Sequence, residues 1–442
     1  EMSPEEFLKK FKSHADAKKA LFEYYAAFQI SAVESDPVAA RTSSLGFSLG
    51  SAGWVNTSED MLRASRRFSD LLTKTLGARF GDEKDLSDLI RKAAHNAVSS
   101  NQTEKQFLDA VTDDIVDILS QDFEIFLPNR LVYLGPKITP LKIGNVKVLK
   151  LSDLEKEIQP VVAKLQTKYT NMSVEFDYEQ HRAIFKQASI GIEVPSSAMM
   201  WAVKARASKT HLYEEALWQI GIATSLMRLS SSKWDGRIPS FRDIEPSPVV
   251  QDRYAGDNAL VRNGQKLSYG GSKFASAYIV DGKISKDLRA KKTQSIFDEV
   301  FAHKPGRLGE QVFNALGWLT KGRQALDRSE RLLYFFTAIE AILTRNNKDS
   351  PVIDTIARHG SVMLAASIEK RPGVAKRFKD LYAHRSATVH RGTRNASANA
   401  VANAHYLATL LVFVALKKGN LSEKHDTFSD ALSAASYGTV WP

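Results

Sequence analysis

Cysteine is absent from all 442 residues. That excludes disulfides, thiolate nucleophiles and every Cys-ligated zinc or iron–sulfur site. Long apolar runs are missing too. The longest, Tyr406 to Leu416, covers eleven residues and includes Thr409, short of the roughly 20 that a membrane-spanning helix needs. No cationic segment followed by an apolar one stands near the start, so the expectation is no signal peptide, no membrane and a cytoplasmic protein. Tyr269-Gly270-Gly271-Ser272-Lys273 lacks the spacing of a Walker phosphate loop. His181 and His211 lie far apart, with no His-x3-His spacing on a helix, so neither a metal site nor a cofactor is expected.

What is present is a mild excess of positive charge. Sixty-one Lys and Arg against 50 Asp and Glu leave +11, with a pI near 9.4. Spread along the chain, this favours polyanionic partners without naming one. Hydrophobic content of 43% and charged content of 25% are those of a folded protein. The length exceeds what one ordinary core uses, so two or three domains are expected.

Periodicity divides the chain into three. Ser3-Pro4-Glu5-Glu6 carries the signs of a helix start, and Leu21, Tyr25 and Phe28 continue at helical spacing. Residues 30–56 are rich in Ser and Gly and read as a loop, and helices follow near 58–78, 83–99 and 103–120. Arg63, Arg66, Arg67 and Lys74 form a basic stripe on the first of these, which reads as a solvated face. From Asp122 the period shortens to that of strands, at 123–127, 131–134, 146–148, 173–176, 190–194 and 200–204. A helix spans 209–229, and Asn263-Gly264 and Asp281-Gly282 read as hairpin turns. Beyond, Leu332, Phe335, Phe336, Ile339, Ile342 and Leu343 form one helical face. Ser350-Pro351 opens a helix through Leu364 and Ile368, and Arg371-Pro372-Gly373 breaks it. A motif helix carried by Val374, Phe378, Leu381 and Val389 follows, and then a final helix from 397 to 417. The expected fold is α+β and multidomain: a mostly helical region over 1–120, a mixed α/β module of sensing or regulatory role over 121–287, and an all-α helical bundle over 288–442.

The densest chemistry lies in that bundle. Over residues 369–394 eight cations (Lys370, Arg371, Lys376, Arg377, Lys379, Arg385, Arg391 and Arg394) face only Glu369 and Asp380, a net +6. Within this stretch stands Leu381-Tyr382-Ala383-His384-Arg385-Ser386-Ala387-Thr388-Val389-His390-Arg391-Gly392. It resembles the Arg-x(4–6)-His motif of HEPN domains, in the Apea-like form Leu-Tyr-x-x-Arg-Ser-x-x-Val-His-x-Gly. Ala315-Leu316-Gly317-Trp318-Leu319 and the run from Asp327 to Leu343, with its Ala338-x-Glu340-Ala341 core, are similar to the first helices of the same domain. The likeness covers roughly residues 305–420.

A basic stretch beside a His suits RNA, whose 2′-hydroxyl is a built-in nucleophile. His390 can exchange a proton near neutral pH, and Arg385 can hold a phosphate through two parallel hydrogen bonds. Ser386 either orients Arg385 or bonds back to the helix, and Tyr382 is an aromatic of the core or an interface, or a contact to substrate. His384, Arg391, Arg394 and Lys379 are candidate phosphate contacts. Glu340 either holds Arg385 or makes a structural ion pair. Five residues along a regular helix rotate about 140°, so Arg385 and His390 share no narrow face. Either the helix is distorted near Ser386, or the pair is completed by another chain. The resemblance implies the second: HEPN domains dimerise and bring two motifs to one cleft. It also implies a metal-independent endoribonuclease that leaves a 2′,3′-cyclic phosphate and a 5′-hydroxyl. In that setting it is a toxin-like or anti-phage effector, a homodimer through its C-terminal helical domain, with a phage-derived or cellular trigger bound by the N-terminal region. The alternatives are a non-catalytic module that binds RNA or nucleotide, and a dimerisation scaffold.

Overall fold

The computed structural model describes residues 11, 14–34, 46–48, 54–76, 83–120, 122–154, 156–157, 160, 199–207, 209–230, 245, 259–263, 266–270, 278–345, 352–439 and 441. The helix start expected at Ser3, the strands at 173–176 and 190–194, and the Ser350-Pro351 cap lie outside them. The architecture is α+β, with an N-terminal helical region, a central mixed α/β segment and a C-terminal all-helical bundle. The chain divides into two compact units, Glu1–Glu124 with Lys204–Ala216, and Ile125–Val203 with Leu217–Pro442.

In the first unit, helices α1 (Ala15–Glu34), α2 (Glu59–Leu76), α3 (Glu83–Ser99) and α4 (Glu104–Ser120) share one apolar core. Phe28, Phe68, Ile90 and Phe107 are fully buried there, and the Tyr25 ring stacks on Phe107 at 4.6 Å. The start of α4 is set locally. Thr103 N–H donates to Gln106 Oε1 at 2.8 Å while Gln106 N–H returns to Thr103 Oγ1 at 3.4 Å, which satisfies two donors that a bare helix end leaves open. The stretch read as a loop over 30–56 is not all loop. α1 continues to Glu34, and β1 (Gly46–Ser48) pairs antiparallel with β2 (Trp54–Asn56).

Short strands come next along the chain: β3 (Phe123–Pro128), β4 (Val132–Leu134), β5 (Leu141–Ile143), β6 (Val146–Lys150) and β7 (Met199–Ala205). Four of them form a sheet in the order β3-β7-β6-β5, with β6 antiparallel to β7 from Val146↔Val203 to Lys150↔Met199. Helix α5 (Lys209–Ser230) follows, then the hairpin β8 (Ala259–Asn263) and β9 (Lys266–Gly270), in register at Asn263↔Lys266 as Asn263-Gly264 predicts. The second expected hairpin is absent. β10 (Tyr278–Val280) pairs parallel with β4, and Asp281 begins helix α6 (Gly282–Arg289). The reason is chemical: the Asp281 carboxylate accepts from Ile284 N–H at 2.8 Å, and an Asp cap competes directly with an Asp-Gly turn.

The bundle that carries the motif comprises α7 (Lys291–Phe301), α8 (Leu308–Gln324), α9 (Arg328–Leu343), α10 (Val352–Leu364), α11 (Arg371–Arg391), α12 (Ala398–Lys418) and α13 (His425–Ser436). All six apolar residues of the α9 face, Leu332 to Leu343, are fully buried, each such side chain stabilising by about 1.5–3 kcal/mol. The sequence places the breaks less well. Arg371-Pro372-Gly373 starts α11 rather than ending a helix, because Pro372 stands in the first turn, where no N–H is needed. Ile368 sits 61% exposed in a separate 3-10 turn (Ile368–Lys370). The helix at 398–418 is not the last, since α13 buries Phe428 and Leu432 behind it. Among the described residues α12 alone is long and apolar enough to cross a membrane. It is half buried within the bundle, through Ala404, Leu407, Ala408, Leu411 and Val412 among others.

Candidate functional site

α11 is one unbroken helix from Arg371 to Arg391. The distortion near Ser386 that would have brought Arg385 and His390 together in one chain is therefore not present. Five residues of regular helix separate the two by about 7.5 Å along the axis and about 140° around it. Two features set where the helix lies. Phe378 is fully buried, its ring against Gly360 of α10, where any Cβ would lie 2.4 Å from the ring. Gly392 ends the helix in the left-handed conformation, at φ 62°, which a residue without Cβ adopts at no steric cost. Phe378 and Leu381 anchor the inner face, whereas Val389, expected beside them, is 48% exposed.

Arg385 is held from α9. Its Nη2 lies 3.3 Å from Glu340 Oε1, and both side chains are about three-quarters or more buried, at 25% and 20% exposure. Burial raises the Glu340 carboxyl above its ordinary range, while the Arg385 charge pulls it back down. The Arg385 guanidinium also lies 6.0 Å from the centre of the Tyr382 ring, the outer limit of a cation–π contact. Tyr382 in turn packs edge-on against Phe336 at 5.8 Å. So Glu340 pairs with a mostly buried guanidinium that lies beside the Tyr382 ring.

The other candidates are spread around the helix. His384, His390 and Arg391 are exposed. His390 and Arg391 stand in the last turn, where cations favour the helix dipole. Among the described residues Ser386 donates no hydrogen bond to the helix; Thr388 does, to the His384 carbonyl at 3.1 Å. Lys379 is paired with Asp354 at 2.8 Å and Arg394 with Asp327 at 2.8 Å. Asp327 also caps α9, accepting from Ser329 and Glu330 N–H at 2.9 and 3.2 Å, and these bonds with Arg394 hold its carboxyl low. Neither Asp354 nor Asp327 was a candidate from sequence. Asp327 had a local signal, an Asp directly before Arg328-Ser329-Glu330 at a helix start; Asp354, 25 residues before Lys379, had none.

The geometry thus brings together Arg385, Glu340 and Tyr382, and leaves His390 on another side of the same helix with its imidazole open to solvent. An anchored guanidinium can bind a phosphate, and an exposed imidazole can carry a proton, but one chain alone does not present both to the same phosphodiester. The basic stripe on α2 belongs to the ordinary surface: Arg67 pairs with Asp16 and Glu23, each at 3.4 Å, and Arg63 with Asp60 at 3.7 Å. Comparison with protein-family models, curated proteins and solved structures finds no match to this chain.

Proposed function

We propose that the chain is a HEPN-type endoribonuclease whose active unit uses Arg385 and His390 from two copies. The observation that carries the reading is the difference between the two side chains. Arg385 is mostly buried and paired with Glu340, while His390, on the same helix, is exposed. A phosphate-orienting group gains from being fixed, and a proton carrier must reach solvent or substrate. In the reaction the RNA 2′-oxygen attacks the adjacent phosphorus and gives up its proton. The bond from phosphorus to the 5′-oxygen breaks, and that oxygen receives a proton. His390 serves in this proton transfer, and Arg385 offsets the charge that builds on the phosphoryl oxygens. The cations of residues 369–394 draw the polyanion to the helix, although Lys379 and Arg394 are paired with Asp354 and Asp327. The expected setting, a defence effector restrained by its N-terminal region, rests on the family likeness.

One observation favours the second reading, a module that binds RNA or nucleotide without cutting it. Arg385 already has a carboxylate partner at 3.3 Å, and a phosphate must share the guanidinium with Glu340. Incubation of the purified chain with mixed RNA in excess EDTA separates the two. The proposal expects new 2′,3′-cyclic phosphate and 5′-hydroxyl ends, lost in both Arg385→Ala and His390→Ala at unchanged unfolding midpoint. Retention of RNA without cleavage establishes the second reading, and cleavage restored only by a divalent ion moves the active site elsewhere.

A further inference from the structure

A cleft of about 700 Å³ opens between α5, the α6–α7 corner, α8 and α12, and none of its lining residues lies on α11. Two arginines stand in its wall, Arg228 on α5 and Arg323 on α8, each only 5% exposed. They share one carboxylate, that of the buried Glu245: Arg323 Nε donates to Oε2 at 3.1 Å, and Arg228 Nη2 to the same oxygen. Arg323 Nη2 also donates to Ser225 Oγ at 2.6 Å and Thr320 Oγ1 at 3.0 Å. Arg323 is thereby well provided with acceptors. Arg228 is not. Its Nε is buried with no acceptor among the described residues, and its guanidinium lies over the Tyr278 ring, 4.7 Å from the centre.

The charges do not balance either. Among the described residues two buried guanidiniums, Arg228 and Arg323, face one buried carboxylate, while a third arginine, Arg331, lies nearby and donates from Nε to the Gly322 carbonyl at 3.2 Å. An uncompensated charge inside a protein is strongly unfavourable unless something pairs with it. His405, which lines the same cleft, adds no charge, because burial and these three arginines keep it neutral at physiological pH. One turn along α12, the Thr409 hydroxyl is buried at the cleft wall and likewise has no partner among the described residues. At the mouth Lys417 lies 5.1 Å from the ring of Phe413, itself 37% exposed, while Asp287 is the carboxylate on the rim. The cleft thus offers an excess cation and a free hydroxyl at its base, an aromatic wall, and a second cation at the opening. Its volume falls in the usual range for small-molecule sites.

From this geometry we infer that the cleft binds a small organic anion, with an oxyanion head on Arg228 and Thr409 and an apolar body against Phe413 beneath Lys417. The site is independent of the reading of α11: it needs neither RNA nor a second copy. Phosphate and carboxylate heads share this chemistry, and the probes distinguish them. The full chain is titrated calorimetrically at constant ionic strength with inorganic phosphate, phenyl phosphate and benzoate. The aromatic wall predicts that whichever aryl anion has the matching head binds at least about tenfold tighter than inorganic phosphate. Arg228→Ala strands Glu245 and risks misfolding, so the decisive variants are Thr409→Val, which keeps the shape and removes the hydroxyl, and Lys417→Ala at the surface. Each is expected to weaken the aryl anion by about threefold or more. The inference is overturned if none of the probes binds at millimolar concentration, or if binding is the same in wild type, Thr409→Val and Lys417→Ala.

Discussion

Arg385 and Glu340 join α11 to α9 through a 3.3 Å ion pair that is buried enough to resist screening and exposed enough to reach a ligand. Neither partner stands alone: Glu340 is one turn from the end of α9, and the Arg385 guanidinium rests toward Tyr382. If Arg385 works on RNA, Glu340 is its positioning residue. Glu340→Gln keeps the shape and removes the charge. The expected outcome is a lower kcat with little change in KM, and a stability loss of about 1 kcal/mol, since the pair still keeps a fifth to a quarter of its side-chain surface in solvent. Unaltered cleavage in Glu340→Gln, measured as initial rates across RNA concentration, makes the pair a structural brace only.

The approach of α11 to α10 depends on Gly360. A Cβ there meets the Phe378 ring at 2.4 Å, and that ring is fully buried with no room to retreat. Gly360→Ala gains about 1 kcal/mol of helix propensity but loses about 1–3 kcal/mol to overpacking. A net loss in urea unfolding is expected, together with slower RNA cleavage because α11 is displaced. A variant more stable than wild type contradicts the close packing.

Three histidines in the bundle predict how it responds to acid. His359 lies 3.2 Å from the Leu343 carbonyl through Nδ1 and 2.9 Å from the Ser433 hydroxyl through Nε2, and burial lowers its pKa to about 4. His405, stacked on Phe335 at 4.4 Å, and His425, 2.8 Å from the Ile342 carbonyl, are lowered too, again chiefly by burial. In the unfolded chain all three titrate near 6.5. Below that pH the unfolded state binds more protons than the folded one, so the stability present above pH 6.5 falls as pH drops toward 4. His359 alone should account for about 2 kcal/mol of the loss by pH 4.5. Urea midpoints measured from pH 7.5 to 4.5 check this, and His359→Asn should flatten the curve. A decline that begins only below pH 4 assigns acid sensitivity to carboxylates instead.

What could be read from the sequence was what is encoded within a few residues. The Thr103–Gln106 box, the α9 apolar face and the Asn263-Gly264 hairpin each depend on neighbours three or four positions apart. The errors arose where two local rules competed. Asp281-Gly282 satisfies both a turn and a helix cap, and Pro372 both breaks and begins helices; in each case the helix start prevailed, through the Asp281 cap bond to Ile284 N–H and the place of Pro372 in the first turn. The pairings that define the sites span longer distances. Arg323 and Glu245 are 78 residues apart, and Arg385 and Glu340 45. Glu340 was a candidate because a charged residue stood inside an apolar run and within the Ala338-x-Glu340-Ala341 core of the family likeness, and Glu245 carried no such mark.

The number of chains that make one site follows from the helix geometry. Because α11 is regular, Arg385 and His390 of one copy point about 140° apart, and no bend restores a shared face. Two copies arranged about a twofold axis can place the Arg385 of one opposite the His390 of the other. The excess of cations on each segment opposes that approach, less so where Lys379, Arg385 and Arg394 are paired with Asp354, Glu340 and Asp327. The interface must therefore be carried by apolar surface, of which Val389, 48% exposed beside His390, is one element. A bound polyanion should tighten the dimer by relieving the repulsion, as any ligand of the assembled state does. The test mixes two inactive chains, Arg385→Ala and His390→Ala. In the mixed dimer one site retains both an intact Arg385 and an intact His390, so cleavage should return to about a quarter of wild type, since random pairing makes half of the dimers mixed and each has one working site of two. Sedimentation with and without RNA should show a dimer that RNA strengthens, and Val389→Asp should weaken it. Wild-type chain that cuts RNA while sedimenting as a monomer refutes the shared site, and mixing that restores nothing places each working pair within one chain.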